Sequence, residues 1–333
     1  MENKPHIRRT VILLFVLLVV SVLIYFYARV IGKALDTGLP LTMAAAKKIA
    51  GRSAVSVLGM AISATLIATI SFSFQTLTEN RILTPSMIGF DSIYLAVQAV
   101  LVFVTGRWAV SKTLFTNPYW NFLISTAVML AVSMLMYRMI LRKNRNNIVF
   151  LLLFGLIVSS VVKSLTNYIE VLLKPSEFQQ YKAASAVTIN NMNTKIIFLV
   201  MPIMIYLVFR IIRQHREFDV MVLGENNARS LGVPYTESLN RNLVYIALAM
   251  AITTALVGPL TFLGLLAVNI ARELLQTWRH KPLFIGSILV AMIFLILGQG
   301  IVELLRYATP VTVLIDLVGG VYMIYLILKE NHL

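Results

Sequence analysis

The chain has 333 residues, 59% hydrophobic and only 13% charged, whereas a soluble domain is about 45–50% apolar and about 25% charged, so a solvent-facing globule is excluded. Sixteen Gly, ten Pro and no Cys exclude collagenous and disulfide-stapled chains, thiolate metal sites and Cys nucleophiles. The net charge of +15 reads as the basic flanks of membrane helices, because no extended polar domain exists to present it to nucleic acid.

A helix that crosses a bilayer takes about 20 apolar residues. The chain reads as an all-α polytopic membrane protein with about ten of them. The first apolar run, 10–30, follows Arg8-Arg9, lacks a small-residue cleavage pattern and is too long for a signal-peptide core, so it is a retained helix. Further runs lie at 53–77, 88–104, 120–140, 148–173, 196–212, 243–257, 260–275, 283–302 and 311–328. The eighth is the weakest, because Gly258-Pro259 breaks the helix before it and Gly264 loosens it. Placing the N-terminus and C-terminus inside puts most Lys and Arg inside, with Arg142-Lys143-Asn144-Arg145 and Arg210–Arg216 as the clearest anchors. Against that bias, Arg29, Lys33, Lys47, Lys48 and Arg52 crowd one outer loop. Ser56, Gly59, Ser63 and Ala64 in the second span, and Gly319-Gly320 in the last, are small residues that let helix backbones approach closely.

Residues that could carry chemistry are few. No G-x-x-x-x-G-K-[ST] phosphate loop and no H-E-x-x-H occurs. His6, His215, His280 and His332 fall in flanks or loops, too far apart in sequence to suggest a shared metal site. Lys163, Asn167 and Glu170 stand at i, i+4 and i+7 on one helical face. They read either as a proton relay or as a wetted stripe in the outer half whose ends snorkel, and no second acid is expected mid-span in a neighbouring helix. Met129, Met134, Met136 and Met139 share the fourth span without one spacing, which fits adaptable packing better than a soft-metal conduit.

The longest polar stretch between spans, 210–241, contains FDVMVLGENNARSLGVPYTES from Phe218 to Ser238. Leu223, Ala228 and Leu231 share one side of a short amphipathic helix that Gly224 and Gly232 punctuate. The stretch reads as a solvated loop with a helical turn, or as an element that a soluble partner grips. Leu223-Gly224-Glu225, Ala228-Arg229 and Leu231-Gly232 resemble the coupling-helix motif of the FecCD family, the permeases of type II ABC importers for iron-siderophores, haem and vitamin B12. Gln75, Asn80, Pro85 and Gly89 resemble the family's turn after the second helix, with Arg81-Ile82-Leu83-Thr84 replacing its usual Pro-Leu start. Gly258-Pro259, Gly264 and Arg272 resemble a later family block, with Val268-Asn269 where Pro-His is usual. Gly298-Gln299-Gly300 replaces an Asp-containing segment, while Pro310 and Gly319 fit the final helix. These departures, with Glu177-Phe178-Gln179, look like the catecholate-siderophore branch.

The resemblance covers nearly the whole chain and implies one permease domain over 1–333, with a cytoplasmic coupling-helix loop at 213–236, in the bacterial cytoplasmic membrane. It implies a second permease subunit (a paralogue or a copy), two cytoplasmic ATPases that bind the ATP and Mg, and an extracytoplasmic siderophore-binding lipoprotein. This chain would carry no cofactor, no metal and no catalytic residue, and bind no nucleic acid. Leu223, Gly224, Glu225, Ala228, Arg229, Leu231 and Gly232 would couple to the ATPase. Lys47, Lys48 and Arg52, with Arg306, would receive acidic residues of the binding protein or simply contact lipid headgroups. An ion-coupled secondary transporter working through Lys163–Glu170, a haem or cobalamin importer, and a purely structural subunit are the competing readings.

Overall fold

A computed structural model of the chain describes residues 4–37, 43–107, 117–143, 148–187, 189, 192–306 and 309–330. Asn144 and Arg145 of the basic inner segment, and His332, lie outside them. Among the described residues all regular structure is helical. In chain order it comprises α1 (Lys4–Thr37), α2 (Met43–Leu77), a 3-10 turn (Pro85–Ile88), α3 (Phe90–Arg107), α4 (Pro118–Lys143) and α5 (Ile148–Leu172). There follow α6 (Pro175–Ser185), α7 (Thr194–Arg213), α8 (His215–Met221), α9 (Glu225–Ser230), α10 (Tyr235–Val257), α11 (Leu263–Leu275), α12 (His280–Leu304) and α13 (Val311–Glu330).

Nine of the described helices are long and apolar enough to cross a bilayer. The expected eighth span is α11, whose 13 residues reach about 20 Å, short of the roughly 30 Å hydrocarbon core. The cause is local: Gly258 takes φ +101° and caps α10, and Pro259 has no N–H with which to continue that helix. Non-helical backbone at this position is tolerated because α11 is itself buried in protein.

Contacts divide the chain into two compact units. The first holds α1, α2 through Phe72, α7, α8 through Asp219, and α11 to α13. Here α11 lies against α2, and a side chain at Gly264 would run into Ser71 and Ile67. The expected close approaches occur at Gly59, which faces Met192 and Ile197, and at Gly319, which faces Phe262; Gly320 has nothing within 4 Å. Arg29, expected in an outer loop, is instead buried in α1, 3.3 Å from Glu303 of α12 and 2.6 Å from the Tyr25 hydroxyl. The membrane-side cost of an unpaired guanidinium explains why the sequence reading as a loop cation fails at this position.

The second unit holds the end of α2, the 3-10 turn, α3 to α6, α9 and α10. Gly155 lets α5 meet the Ile88 backbone, since an added Cβ would sit 2.9 Å from its Cα. Gln98 of α3 bonds Asn121 and Ser125 of α4, each at 3.0 Å. The helix α6 was not foreseen as an element. It starts at Pro175, and Glu177 accepts the Lys174 N–H at 2.9 Å in a capping arrangement. It runs back along α3, with Tyr181 buried among Ala99, Val102 and Leu173 and the Tyr94 hydroxyl bonded to the Ala184 carbonyl at 3.1 Å.

Candidate coupling site

The stretch 213–236 folds into two short helices and two glycine turns. Gly224, at φ +88°, caps α9, and its carbonyl accepts the Ala228 N–H at 3.0 Å. At the other end Val233 N–H bonds the Ala228 carbonyl and Gly232 N–H the Arg229 carbonyl, both at 3.0 Å. This double bond pattern, with Gly232 at φ +83°, is the Schellman ending that favours glycine. A β-carbon at either glycine would be strained on backbone grounds alone.

The expected amphipathic side, Leu223, Ala228 and Leu231 together, does not form. Ala228 is fully buried and anchors α9, but Leu223 and Leu231 are 52% and 62% exposed, so they do not share the buried side with Ala228. Two large apolar residues therefore flank a six-residue helix and stay more than half exposed among the described residues. Glu225 and Arg229 pair at 2.6 Å, and the Arg229 guanidinium also donates to Thr236 Oγ1 at 3.0 Å. An exposed pair of this kind contributes well under about 1 kcal/mol; its effect is to fix α9 against the start of α10.

The first family turn packs beside this element. Asn80 N–H bonds the Gln75 carbonyl at 3.2 Å and Glu79 N–H the Thr76 carbonyl at 3.3 Å, a second Schellman ending with Glu79 at φ +50°. Asn80 Oδ1 then accepts the Ile82 N–H at 2.8 Å, Pro85 opens the 3-10 turn, and Gly89 closes it at φ +108° against Ser159. The Glu79 carboxylate lies near Gly224, so the turn and the coupling element meet within the second unit. Gln75 is buried.

The other sequence-predicted residues separate from this site. Gly258, Gly264 and Arg272 serve packing, with the Arg272 guanidinium 5.0 Å above the Phe72 ring. Lys47, Lys48, Arg52 and Arg306 are exposed, and none has an ion-pair partner among the described residues. Sequence reading missed a clamp in the first unit. His280, placed in a loop by sequence, is buried; its backbone N–H and ring Nδ1 meet Asp219 Oδ1 of α8 at 2.8 and 2.7 Å. Its ring stacks on Phe218 and lies 4.9 Å from that of Phe72. The sequence signal was an Asp and a His near span ends, 61 residues apart, which no spacing rule connects. Among the described residues no group of three His, Asp or Glu is arranged to hold a metal.

Among the described residues, all-helical structure with nine membrane-capable helices defines a polytopic membrane protein. A match to the FecCD transport family spans residues 11–329, and the chain belongs to that family. It is accordingly a multi-pass cytoplasmic-membrane permease of the ABC importer class and not an enzyme. It is 38% identical over 266 residues, 80% of this chain and 84% of the other, to the petrobactin import system permease protein YclO of Bacillus subtilis (strain 168). It is 29% identical to the petrobactin permease FatC of Bacillus anthracis, over 100% of this chain and 92% of that one. The ferric enterobactin permease FepG of Escherichia coli (strain K12) is 25% identical over 78% of this chain and 76% of its own. A solved metal-chelate-type ABC transporter in an inward-facing conformation matches with TM-score 0.76 and 16% identity over 97% of this chain and 99% of that one; this likeness concerns the fold.

Proposed function

We propose that this chain is one permease subunit of an importer that carries ferric siderophores of the catecholate type across the cytoplasmic membrane. Two ATPases that bind ATP and Mg drive it, a binding lipoprotein feeds it, and a second permease completes the path. The observation that carries the reading is the Leu223–Leu231 element, which leaves two large apolar residues more than half exposed among the described residues. An ATPase can bias access states only by contacting them differently, and a short helix held rigidly at both ends is suited to transmit such a contact. The catecholate assignment draws on the names of the relatives, two petrobactin permeases and a ferric enterobactin permease. A ferric hydroxamate permease, FhuG of Bacillus subtilis (strain 168), is 26% identical and makes hydroxamate the comparison cargo.

Lys47, Lys48 and Arg52 supply a basic patch for acidic residues of the binding protein, and complementary charge of this kind acts mainly through encounter. The test is uptake of radioactive iron by vesicles that hold the complete importer. Ferric catecholate is expected to accumulate with ATP and binding protein and not without either. Reversing Lys47, Lys48 and Arg52 to Glu is expected to slow it about tenfold at low salt, with the difference narrowing as salt rises. Accumulation driven by a proton gradient without ATP, or uptake of hydroxamate alone, would overturn the respective parts of this reading.

A further inference from the structure

The polar face of α5 takes no part in the coupling site. Lys163, Asn167 and Glu170 line a cavity of about 460 Å³ together with Asp91 of α3 and Lys182 of α6. A second acid, Asp91, stands on a neighbouring span at its end, in the first turn of α3, rather than mid-span. Nine residues separate Lys163 from the end of α5, about 14 Å of helix, which is farther than a four-carbon stem reaches. A charged group on a membrane-capable helix is favoured where it faces water or a partner inside the protein. The cavity supplies the water.

Its charges are not equivalent. Glu170 holds Lys182 at 3.4 Å and accepts a hydrogen bond from the Tyr181 hydroxyl; burial, with that bond, pushes the Tyr181 phenol up and keeps it a donor. Asp91 has interactions of its own within the protein. Lys163 and Asn167, one turn apart on α5, have neither an ion-pair nor a hydrogen-bond partner among the described residues. One wall of the cavity thus offers an ammonium and an amide with no partner among the described residues.

We propose that Lys163 and Asn167 form an anion-receiving subsite that holds carboxylate or catecholate oxygens of a negatively charged iron chelate as it passes through the permease. The inference rests on the ferric-siderophore reading and narrows it to cargo bearing net negative charge. One ammonium and one amide in a hydrated cavity bind weakly, which suits a group that must also release. Asn167 provides N–H donors beside the charge and orients the oxygen.

The test uses the complete importer in vesicles of neutral lipid, with ferric catecholate as probe. Lys163→Met is expected to lower uptake about tenfold, the scale of one charge-assisted hydrogen bond. Lys163→Arg is expected to keep at least about half of it, Lys163→Glu to abolish it, and Asn167→Leu to lower it by a smaller factor. ATP hydrolysis stimulated by the binding protein is expected to stay unchanged in all four. Unaltered uptake by Lys163→Met, equal losses in the Met and Arg variants, or ATP hydrolysis falling in parallel would each overturn the proposal. So would a Lys163 effect that appears only in vesicles of anionic lipid, which assigns the ammonium to headgroup phosphate. A wild-type importer that moves no ferric siderophore would instead overturn the functional reading, and that result is visible before any variant is made.

Discussion

A permease carrying Arg229→Ala together with Leu231→Asp is expected to reach the membrane folded and to import no more than about one-tenth as fast as wild type. The fold is spared because neither residue belongs to the core. Ala228 anchors α9, and Leu231 is 62% exposed; surface changes of this kind usually stay within about 0.5 kcal/mol. The effect falls on the grip. Leu231 is a large apolar residue left mostly exposed among the described residues, and a buried charge in its place at an assembled interface is expected to cost at least about 2 kcal/mol. Loss of Arg229 removes both the 2.6 Å contact with Glu225 and the 3.0 Å bond to Thr236, which loosens the side-chain tie between α9 and α10 while the Ala228 anchor remains. ATP hydrolysis is expected to continue at the basal rate, uncoupled from transport. Uptake and hydrolysis measured in the same vesicles, with a thermal melt as control for folding, check this; wild-type uptake by the double variant would remove the element from the coupling path.

The largest stability effect is expected at the other end of α1. Arg29 and Glu303 are both buried, 3.3 Å apart, and Tyr25 adds a 2.6 Å bond to the guanidinium. Arg29→Ala leaves the Glu303 carboxylate buried without its cation, which costs about 3–5 kcal/mol. Replacing both residues by Met removes both charges and keeps apolar volume, so the double variant is expected to recover most of that loss. Thermal unfolding in detergent separates these cases. A single variant as stable as wild type would show that the ion pair contributes no net cohesion between α1 and α12.

Much of the fold was legible because the bilayer imposes one simple rule. Long apolar runs must be helices, and nine of the ten expected spans correspond to membrane-capable helices whose extensions reach into the polar flanks. The exception, α11, carried its own warning in Gly258-Pro259. The short helix α9 was legible because its glycines punctuate a short pattern, and both take positive φ. What escaped the sequence was long-range pairing. Arg29 read as a loop cation because nothing local announces Glu303, 274 residues away. Asp219 and His280 meet through tertiary packing, and Asp91 joins the Lys163 cavity because α3 packs on α5. Apolar patterning locates helices; it is silent on which buried charges find each other.

The chain has no Cys, so Leu231→Cys introduces a single thiol at the exposed edge of the coupling element. In the assembled, transporting importer, short-range thiol cross-linking from residue 231 is expected to capture the ATPase subunit in high yield and to stop uptake. An importer that transports at full rate while this thiol captures no ATPase would contradict the account at its centre.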